Sequence, residues 1–250
     1  VTYDAFNRVL TRTDALGRTT TYSYDLANHR ITVTSPDGVV MTTVKDAFGD
    51  TISIADGAGN TASHTYDNNG NLLTTTDALG NTSSNAYDAV GNVIQTTDAT
   101  GHVVAYAYDA DRRVIAQVVD PSGHNEESDY YYDGQGNLVE VDDPLGTVTI
   151  NSYDGDGNLV LQVRDAGTAG QAINAATRYT YDGAGNVLTV TQGDGSPQAS
   201  ITRYVYDAVG QLSEKTVDPD GLALTTSYAY DAGGNNVAVT DPNGNTAYAI

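Results

Sequence analysis

The side chains best able to do chemistry in this chain are carboxylates. Among 250 residues there are 32 Asp or Glu against 11 Lys or Arg, a formal net charge of -21. One stretch, Asp154-Gly155-Asp156-Gly157-Asn158, has the alternating oxygen donors of a calcium loop. The EF-hand spacing asks for Gly at its sixth position and Glu at its twelfth. Those positions hold Leu159 and Asp165, so the motif fails; a weak surface affinity for calcium stays open, and no metal ligands are assigned. His29, His64, His102 and His124 are scattered without a paired-ligand spacing. His102 and His124 follow a turn Gly and read as turn residues. The absence of Cys excludes disulfides, thiolate zinc sites and a cysteine nucleophile. No Gly-x-Ser-x-Gly elbow, phosphate loop or dinucleotide fingerprint occurs. Carboxylate pairs recur throughout, so none is singled out for acid–base work. The expectation is a protein without catalytic residues, metal or cofactor, and not an enzyme. Asn81-Thr82-Ser83 is a single glycosylation sequon, uninformative without its host.

The elements that position these carboxylates are turns, and the turns repeat. The stretch Tyr66–Asp88 begins and ends on Tyr-Asp and holds two tetrads, Asp67-Asn68-Asn69-Gly70 and Asp77-Ala78-Leu79-Gly80. Tyr-Asp pairs recur at Tyr3, Tyr24, Tyr66, Tyr87, Tyr108, Tyr132, Tyr153, Tyr181, Tyr206 and Tyr230, with Lys45-Asp46 where an eleventh belongs. The steps are 21 residues through the first half and loosen to between 21 and 28 in the second. Such self-similarity decides the architecture before any local reading. Of the acids, 28 are Asp, most of them at turn positions, where the side chain bonds backbone N–H groups two residues on. The acidity is mainly a by-product of many turns.

Each repeat opens with Tyr-Asp and a Gly-Asn, as at Gly91-Asn92 or Gly157-Asn158, which signals a residue of positive φ. An apolar, then alternating segment follows, such as Ile52-Ser53-Ile54 or Val139-Glu140-Val141; period two with β-branched residues predicts a strand of about six residues. A second tetrad reverses the chain, as at Asp14-Ala15-Leu16-Gly17, Asp120-Pro121-Ser122-Gly123, Asp143-Pro144-Leu145-Gly146, Asp218-Pro219-Asp220-Gly221 and Asp241-Pro242-Asn243-Gly244. This predicts a type I turn with a left-handed Gly. The turn glycines so assigned are Gly17, Gly38, Gly59, Gly70, Gly80, Gly91, Gly101, Gly123, Gly136, Gly146, Gly157, Gly185, Gly210, Gly221, Gly234 and Gly244. The return strand carries Tyr-x-Tyr, as at Tyr22/Tyr24, Tyr106/Tyr108 and Tyr228/Tyr230, and residues two apart share a face. The repeat tyrosines therefore form a stripe. Helix evidence is confined to residues 169–176, where a longer hairpin loop fits better; Gly195-Ser196-Pro197 reads as a loop.

The fold class expected is all-β: about eleven antiparallel hairpins over residues 1–250, paired edge to edge into one continuous curved or spiral sheet with no separate second domain. Roughly 22 strands at about 4.8 Å make a ribbon on the order of 105 Å long, a wall and not a container. With 18 Tyr, two Phe and no Trp, the aromatic mass is amphipathic. No apolar run nears the roughly 18 residues a membrane helix needs, and no signal peptide heads the chain. It starts and stops in mid-repeat, so any targeting signal is expected outside it. The charge argues against nucleic acid, which needs a basic footprint.

The unit Tyr-Asp-x-x-Gly-Asn followed by Asp-x-x-Gly resembles the YD, or Rhs, repeat of bacterial Rhs and polymorphic toxins, the B and C subunits of Tc toxins, cell-wall-associated contact toxins and animal teneurins. The likeness spans residues 3 to 250. Asn7, Asn28 and Arg112 depart from it where Gly is expected, and Lys45 where Tyr is. The resemblance implies a segment of a large, secreted or cell-surface bacterial β-shell enclosing a C-terminal effector or toxin domain of the parent chain. That family's self-cleaving region carries Asp-Pro-x-Gly-Leu motifs. Asp218-Pro219-Asp220-Gly221-Leu222 is similar, but it lies inside an ordinary repeat with another Tyr-Asp after it, and no proteolytic role is assigned.

Two readings of the tyrosine stripe stand. As cement, the rings pack across strands with hydroxyls satisfied by neighbouring turns. As a platform, the rings stack on glycans and the chain is an adhesive or carbohydrate-binding surface module; the cement reading is favoured. Exposed terminal strands invite edge-strand self-association of the fragment.

Overall fold

A computed structural model describes residues 1–165 and 175–249. They form 23 β-strands, and among the described residues there is no helix. The part of residues 169–176 that lies before Ala175 falls outside the described residues; Ala175 and Ala176 open the strand Ala175–Tyr181. At Gly195-Ser196-Pro197 the chain makes a loop in which Ser196 N–H donates to the Gly193 carbonyl at 2.8 Å.

The chain divides into two compact units, Val1–Glu127 and Ser128–Ile250. In the first, every strand from Thr2–Tyr3 to Val114–Val119 pairs antiparallel with the next in sequence. In the second, the same holds from residues 129–132 to the strand Thr246–Tyr248. Each unit is a meander of short strands, the topology that two-way turns every ten residues or so impose.

Neither unit has a core in the usual sense. Among the described residues no hydrophobic side chain is fully buried, and the one residue that is buried is Asn151. A single sheet layer leaves both faces partly wet, so alternation along a strand separates two half-buried faces and not an inside from an outside. In the first unit, register places Thr13 against Thr19, Thr21 against Thr34 and Thr32 against Thr42 on one face. The opposite face sets Tyr22 against Val33 and Tyr24 against Ile31. Cross-strand hydroxyl pairs join the first face, among them Thr13–Thr19 and Thr76–Thr82, both at 2.8 Å. In the second unit the face away from the Tyr-x-Tyr stripe has such pairs too, Thr180–Thr189 at 2.6 Å and Thr240–Thr246 at 2.9 Å, and adds charge and aliphatic bulk, with Glu140 opposite Ile150 and Ile150 opposite Val163.

Candidate functional site

With no catalytic cluster in the sequence, the site to build is the recurring one: a turn, a bulge and a tyrosine. The turn at Asp67 shows its chemistry. Asp67 N–H donates to the Asn71 carbonyl at 2.9 Å, and Gly70 N–H to the Asp67 carbonyl at 3.1 Å. The Asp67 carboxylate then closes the loop from inside. Oδ1 accepts the backbone N–H of Asn69 and of Asn71 at 2.8 and 2.9 Å, and Oδ2 accepts Nδ2 of Asn71 at 2.8 Å. A carboxylate accepting several donors prefers its charged form. The pKa of Asp67 accordingly lies below the ordinary carboxylate value, chiefly through the side-chain amide of Asn71 and then its backbone N–H. Gly70, at φ +83°, occupies the left-handed region that a Cβ makes costly.

The same device recurs with changes at its last residue. Arg8, Arg18 and Arg113 put a guanidinium where Asn71 has its amide, each donating Nε to its turn Asp at 2.7 Å. His102 does likewise more loosely, Nδ1 lying 3.3 Å from Asp98 Oδ2. The Asp98 carboxyl is lowered to about 2, first by the Thr100 hydroxyl and then by the His102 backbone N–H. In the calcium-like loop, Asp154 Oδ1 accepts the N–H of Asp156 and of Asn158, and Oδ2 accepts the Asn158 amide. Its carboxylate is thus turned into its own turn. Among the described residues no group of three or more His, Cys, Asp or Glu is placed to hold a metal ion. His64 Nδ1 meets the Thr75 hydroxyl across the strand at 3.1 Å, and His124 N–H donates to Asp120 Oδ2 at 3.2 Å.

The turn glycines predicted from sequence all have positive φ except Gly123 and Gly221. In those two loops the left-handed residues are instead Asp120 and Asn125, and Asp218 and Ala223. Two bonds converge on one carbonyl in each: Gly221 and Ala223 N–H on Asp218 at 3.1 and 2.7 Å, Gly123 and Asn125 N–H on Asp120 at 2.9 and 3.0 Å. Glycine is needed there for a different reason. A Cβ on Gly123 or Gly221 would fall on the carboxylate of Asp120 or Asp218. Asn7 and Arg112 adopt φ +62° and +63° in the place of Gly, whereas at the third departure the left-handed residue is His29 and not Asn28. Gly49, at φ +96°, is a further turn glycine, outside those assigned from the sequence although Asp46-Ala47-Phe48-Gly49 has the same pattern.

The bulge follows from the turn. Thr65 pairs with Thr74 but Tyr66 pairs with Leu72, so one extra residue sits on the outgoing strand. A bulge bends its strand and re-aims backbone groups. Here the carbonyl of Leu72 accepts the hydroxyl of the next repeat's tyrosine, Tyr87, at 2.9 Å. The pattern holds along the chain: Tyr24 to Val9 at 2.9 Å, Tyr66 to Thr51 at 3.1 Å, Tyr108 to Val93 at 2.7 Å and Tyr153 to Leu138 at 2.9 Å. It recurs in two of the lengthened repeats, with Tyr181 to Leu159 at 2.8 Å and Tyr230 to Leu212 at 3.0 Å, but not at Tyr206, which follows the Gly195-Ser196-Pro197 loop. Each acceptor faces the previous repeat's Tyr, or Lys45, through the bulge. These hydroxyls, expected from the sequence to meet neighbouring turns, bond strand carbonyls instead.

These carbonyls take side-chain donors because the sheet ladder has already stopped; Leu72 and Leu138 also accept the amides of Asn85 and Asn151, at 3.1 and 3.0 Å. Between Leu72–Thr76 and Thr82–Tyr87, regular pairing ends at Thr74–Ser84, two residues short of Leu72. The Asp25–Arg30 turn breaks the rule. Without the Gly-Asn pair it has no bulge: Tyr24 pairs with Ile31 and Asp25 with Arg30. The following ladder then runs on to Arg30–Val44, and Lys45 N–H donates to the His29 carbonyl at 3.0 Å. Lys45 stands where the repeat has tyrosine, and its own backbone N–H occupies the His29 carbonyl.

Five stretches, residues 3–40, 46–82, 87–124, 132–169 and 206–246, match the RHS repeat family, and together they make up well over half of the chain. The chain belongs to that family. No curated protein matches the sequence. Among solved structures, the chain resembles TcdB2-TccC3 without its hypervariable C-terminal region, at 17% identity and a TM-score of 0.67. It also resembles the Photorhabdus luminescens Tc holotoxin pore, at 17% identity and a TM-score of 0.58. The alignments cover 96% and 97% of this chain but only 15% and 16% of those chains. At such identity the likeness is one of fold.

Proposed function

We propose that residues 1–250 are one repeat array within the β-shell of a larger RHS repeat protein, with a structural and non-catalytic role. The shell encloses an effector or toxin domain of the parent chain, and the parent is secreted or delivered to a cell surface. The turn Asp, the turn Gly and the repeat Tyr act as structural residues: the first two reverse the chain, and the third fastens each hairpin to the one before it. The observation that carries this reading is the tyrosine-to-carbonyl bond. It recurs in repeats of different length, 15, 18 and 22 residues from donor to acceptor, as a wall requires and a localised binding site does not. That the chain matches a small share of much longer Tc toxin chains supports a part of a larger body. The adhesive reading is weaker, because hydroxyls engaged on strand carbonyls are not available to sugars.

The test is limited proteolysis of the full parent protein against its C-terminal segment expressed alone. Enclosure predicts that the segment resists digestion in the intact parent and is cut quickly when alone. Equal rates of cutting would end the proposal. A glycan array showing saturable binding that depends on Tyr87 or Tyr108 would transfer support to the surface-module reading.

A further inference from the structure

The irregular repeat leaves a cavity of about 420 Å³ between the Asp25–Arg30 turn and the turn that begins at Asp46. Its apolar lining includes Tyr24, Leu26, Ile31 and Phe48, and its cations are Arg8, Arg30 and Lys45. Leu26 and Phe48 are 61% and 83% exposed, a cost that nothing in the isolated sheet offsets. The donors and acceptors of this cavity are unevenly occupied. Asp25 accepts both the backbone N–H and the amide of Asn28, and Asp46 Oδ1 accepts the N–H of Phe48 and of Asp50. Arg8 is tied to Asp4 and lies over the Tyr24 ring, 4.4 Å from its centroid. Lys45 has three N–H donors and gives one to the Gly49 carbonyl at 2.6 Å. Among the described residues neither Lys45 nor Arg30 forms an ion pair.

We propose that this cavity binds a small aromatic monoanion, its ring against Phe48 and Leu26 and its anionic group on Lys45 and Arg30. Apolar walls with a few convergent polar groups, at a few hundred Å³, describe small-molecule sites in general. Charge-assisted bonds to the two cations supply the direction. The carboxylates of Asp25 and Asp46 on the same rim disfavour a dianion. The site exists because this repeat departs from the others: without the bulge at Asp25–Arg30, position 45 carries an ammonium group in place of a ring fastened to the preceding strand.

The experiment is titration of the ¹⁵N-labelled chain with 2-naphthoate, followed by amide shifts. For a ligand of that size in an open site the dissociation constant should be about 1 mM, with saturable shifts confined to residues 24–31 and 45–49. Lys45→Gln and Arg30→Gln should each weaken binding by roughly fivefold, and Phe48→Ser by about tenfold. Leu145→Ser, at a 92% exposed turn leucine far along the sequence, should change nothing. Naphthalene, lacking the anion, should bind more weakly than naphthoate. Three results would each overturn the proposal: binding unaltered in Lys45→Gln and Phe48→Ser, shifts spread evenly over the tyrosine-bearing repeats, or naphthalene binding as well as naphthoate. All these substitutions fall at positions that are exposed or half-buried, so the variants retain the fold, which their remaining amide signals report.

Discussion

Within each unit, the two rows of turns use one turn chemistry in two surroundings. On the tyrosine edge, the carboxylate-to-amide clamps of Asp67, Asp88 and Asp154 are partly buried. A Cβ placed on Gly91 or Gly157 would touch the amide oxygen of Asn71 or Asn137 in the turn before, at 3.9 and 3.7 Å. On the other edge, the clamps of Asp14, Asp77 and Asp241 are exposed, and Gly17, Gly80 and Gly244 have open space around them. Bond lengths hardly differ, 2.8 Å at Asp67 against 2.7 Å at Asp77. What differs is the tyrosine, which closes the gap in the ladder and brings each turn against its predecessor. Local sequence makes the turn; its neighbour decides how much that turn contributes.

Acid should give the largest effect. Where a folded carboxylate is held below its ordinary value, its contribution is complete above that value and is lost as the pH falls through the lowered one. The turn aspartates start from 3.8, and Asp98, on the open edge, is carried down to about 2. Melting temperature should therefore be flat near neutrality and fall steeply from just below pH 4 towards pH 2. Asp88, on the tyrosine edge, is also lowered, but there burial is the largest single influence and acts upward against the bonds from Asn92. Carboxyl signals in an NMR titration should thus show Asp88 protonating before Asp98; the reverse order would break the comparison.

Substituting Gly91 with Val comes next. Left-handed backbone costs an L-residue about 1–2 kcal/mol, or a melting-temperature loss of roughly 2–8 °C in a chain of this size. Gly80→Val has the same backbone penalty without the neighbouring turn, so it should lose somewhat less, and Thr96→Val should stay within about 0.5 kcal/mol. Equal melting temperatures for Gly91→Val and Thr96→Val would refute the turn assignment. Tyr87→Phe leaves the Leu72 carbonyl with the Asn85 amide alone, at 3.1 Å, and should cost about 0.5–1 kcal/mol, with faster hydrogen exchange in the strands flanking Leu72. Smallest is a matched pair. Arg8→Ala removes a guanidinium stacked on Tyr24 and should lower melting by roughly a degree or two. Arg18→Ala, at a side chain 65% exposed on the open edge, should produce no measurable change.

Much of this fold is legible in the sequence because its determinants are local. Asp, Gly and Asn at fixed offsets specify reversals, and alternation between them specifies strands, without knowledge of any partner. The clamp of Asp67 on its fourth-following residue is nearly legible too: Asn, Arg and His recur there, all able to donate to a carboxylate. What lies beyond reach is anything that depends on register between repeats. That Leu72 presents its carbonyl to Tyr87 requires knowing that a bulge has displaced Leu72. That Lys45 is consistent with its surroundings, and not a lapse, requires knowing that Asn28-His29 makes no bulge. The loops at Asp120 and Asp218 mislead for a related reason. Their Asp-Pro-x-Gly spelling matches an ordinary turn, yet both run on for two more residues and shift the left-handed positions to their ends.

Tyr153 and Tyr87 bond carbonyls 15 residues upstream, Tyr230 one 18 residues upstream and Tyr181 one 22 residues upstream. For Tyr230 the additional residues fall in the loop between Val217 and Leu224, at the end away from the tyrosines, and the bond itself is unchanged. Such loops are natural grafting points: an epitope or a foreign peptide spliced between Gln192 and Ser200, or between Val217 and Leu224, should be carried without disturbing the hairpins on either side. On the tyrosine edge, a single added residue would shift the carbonyl that the following ring must reach.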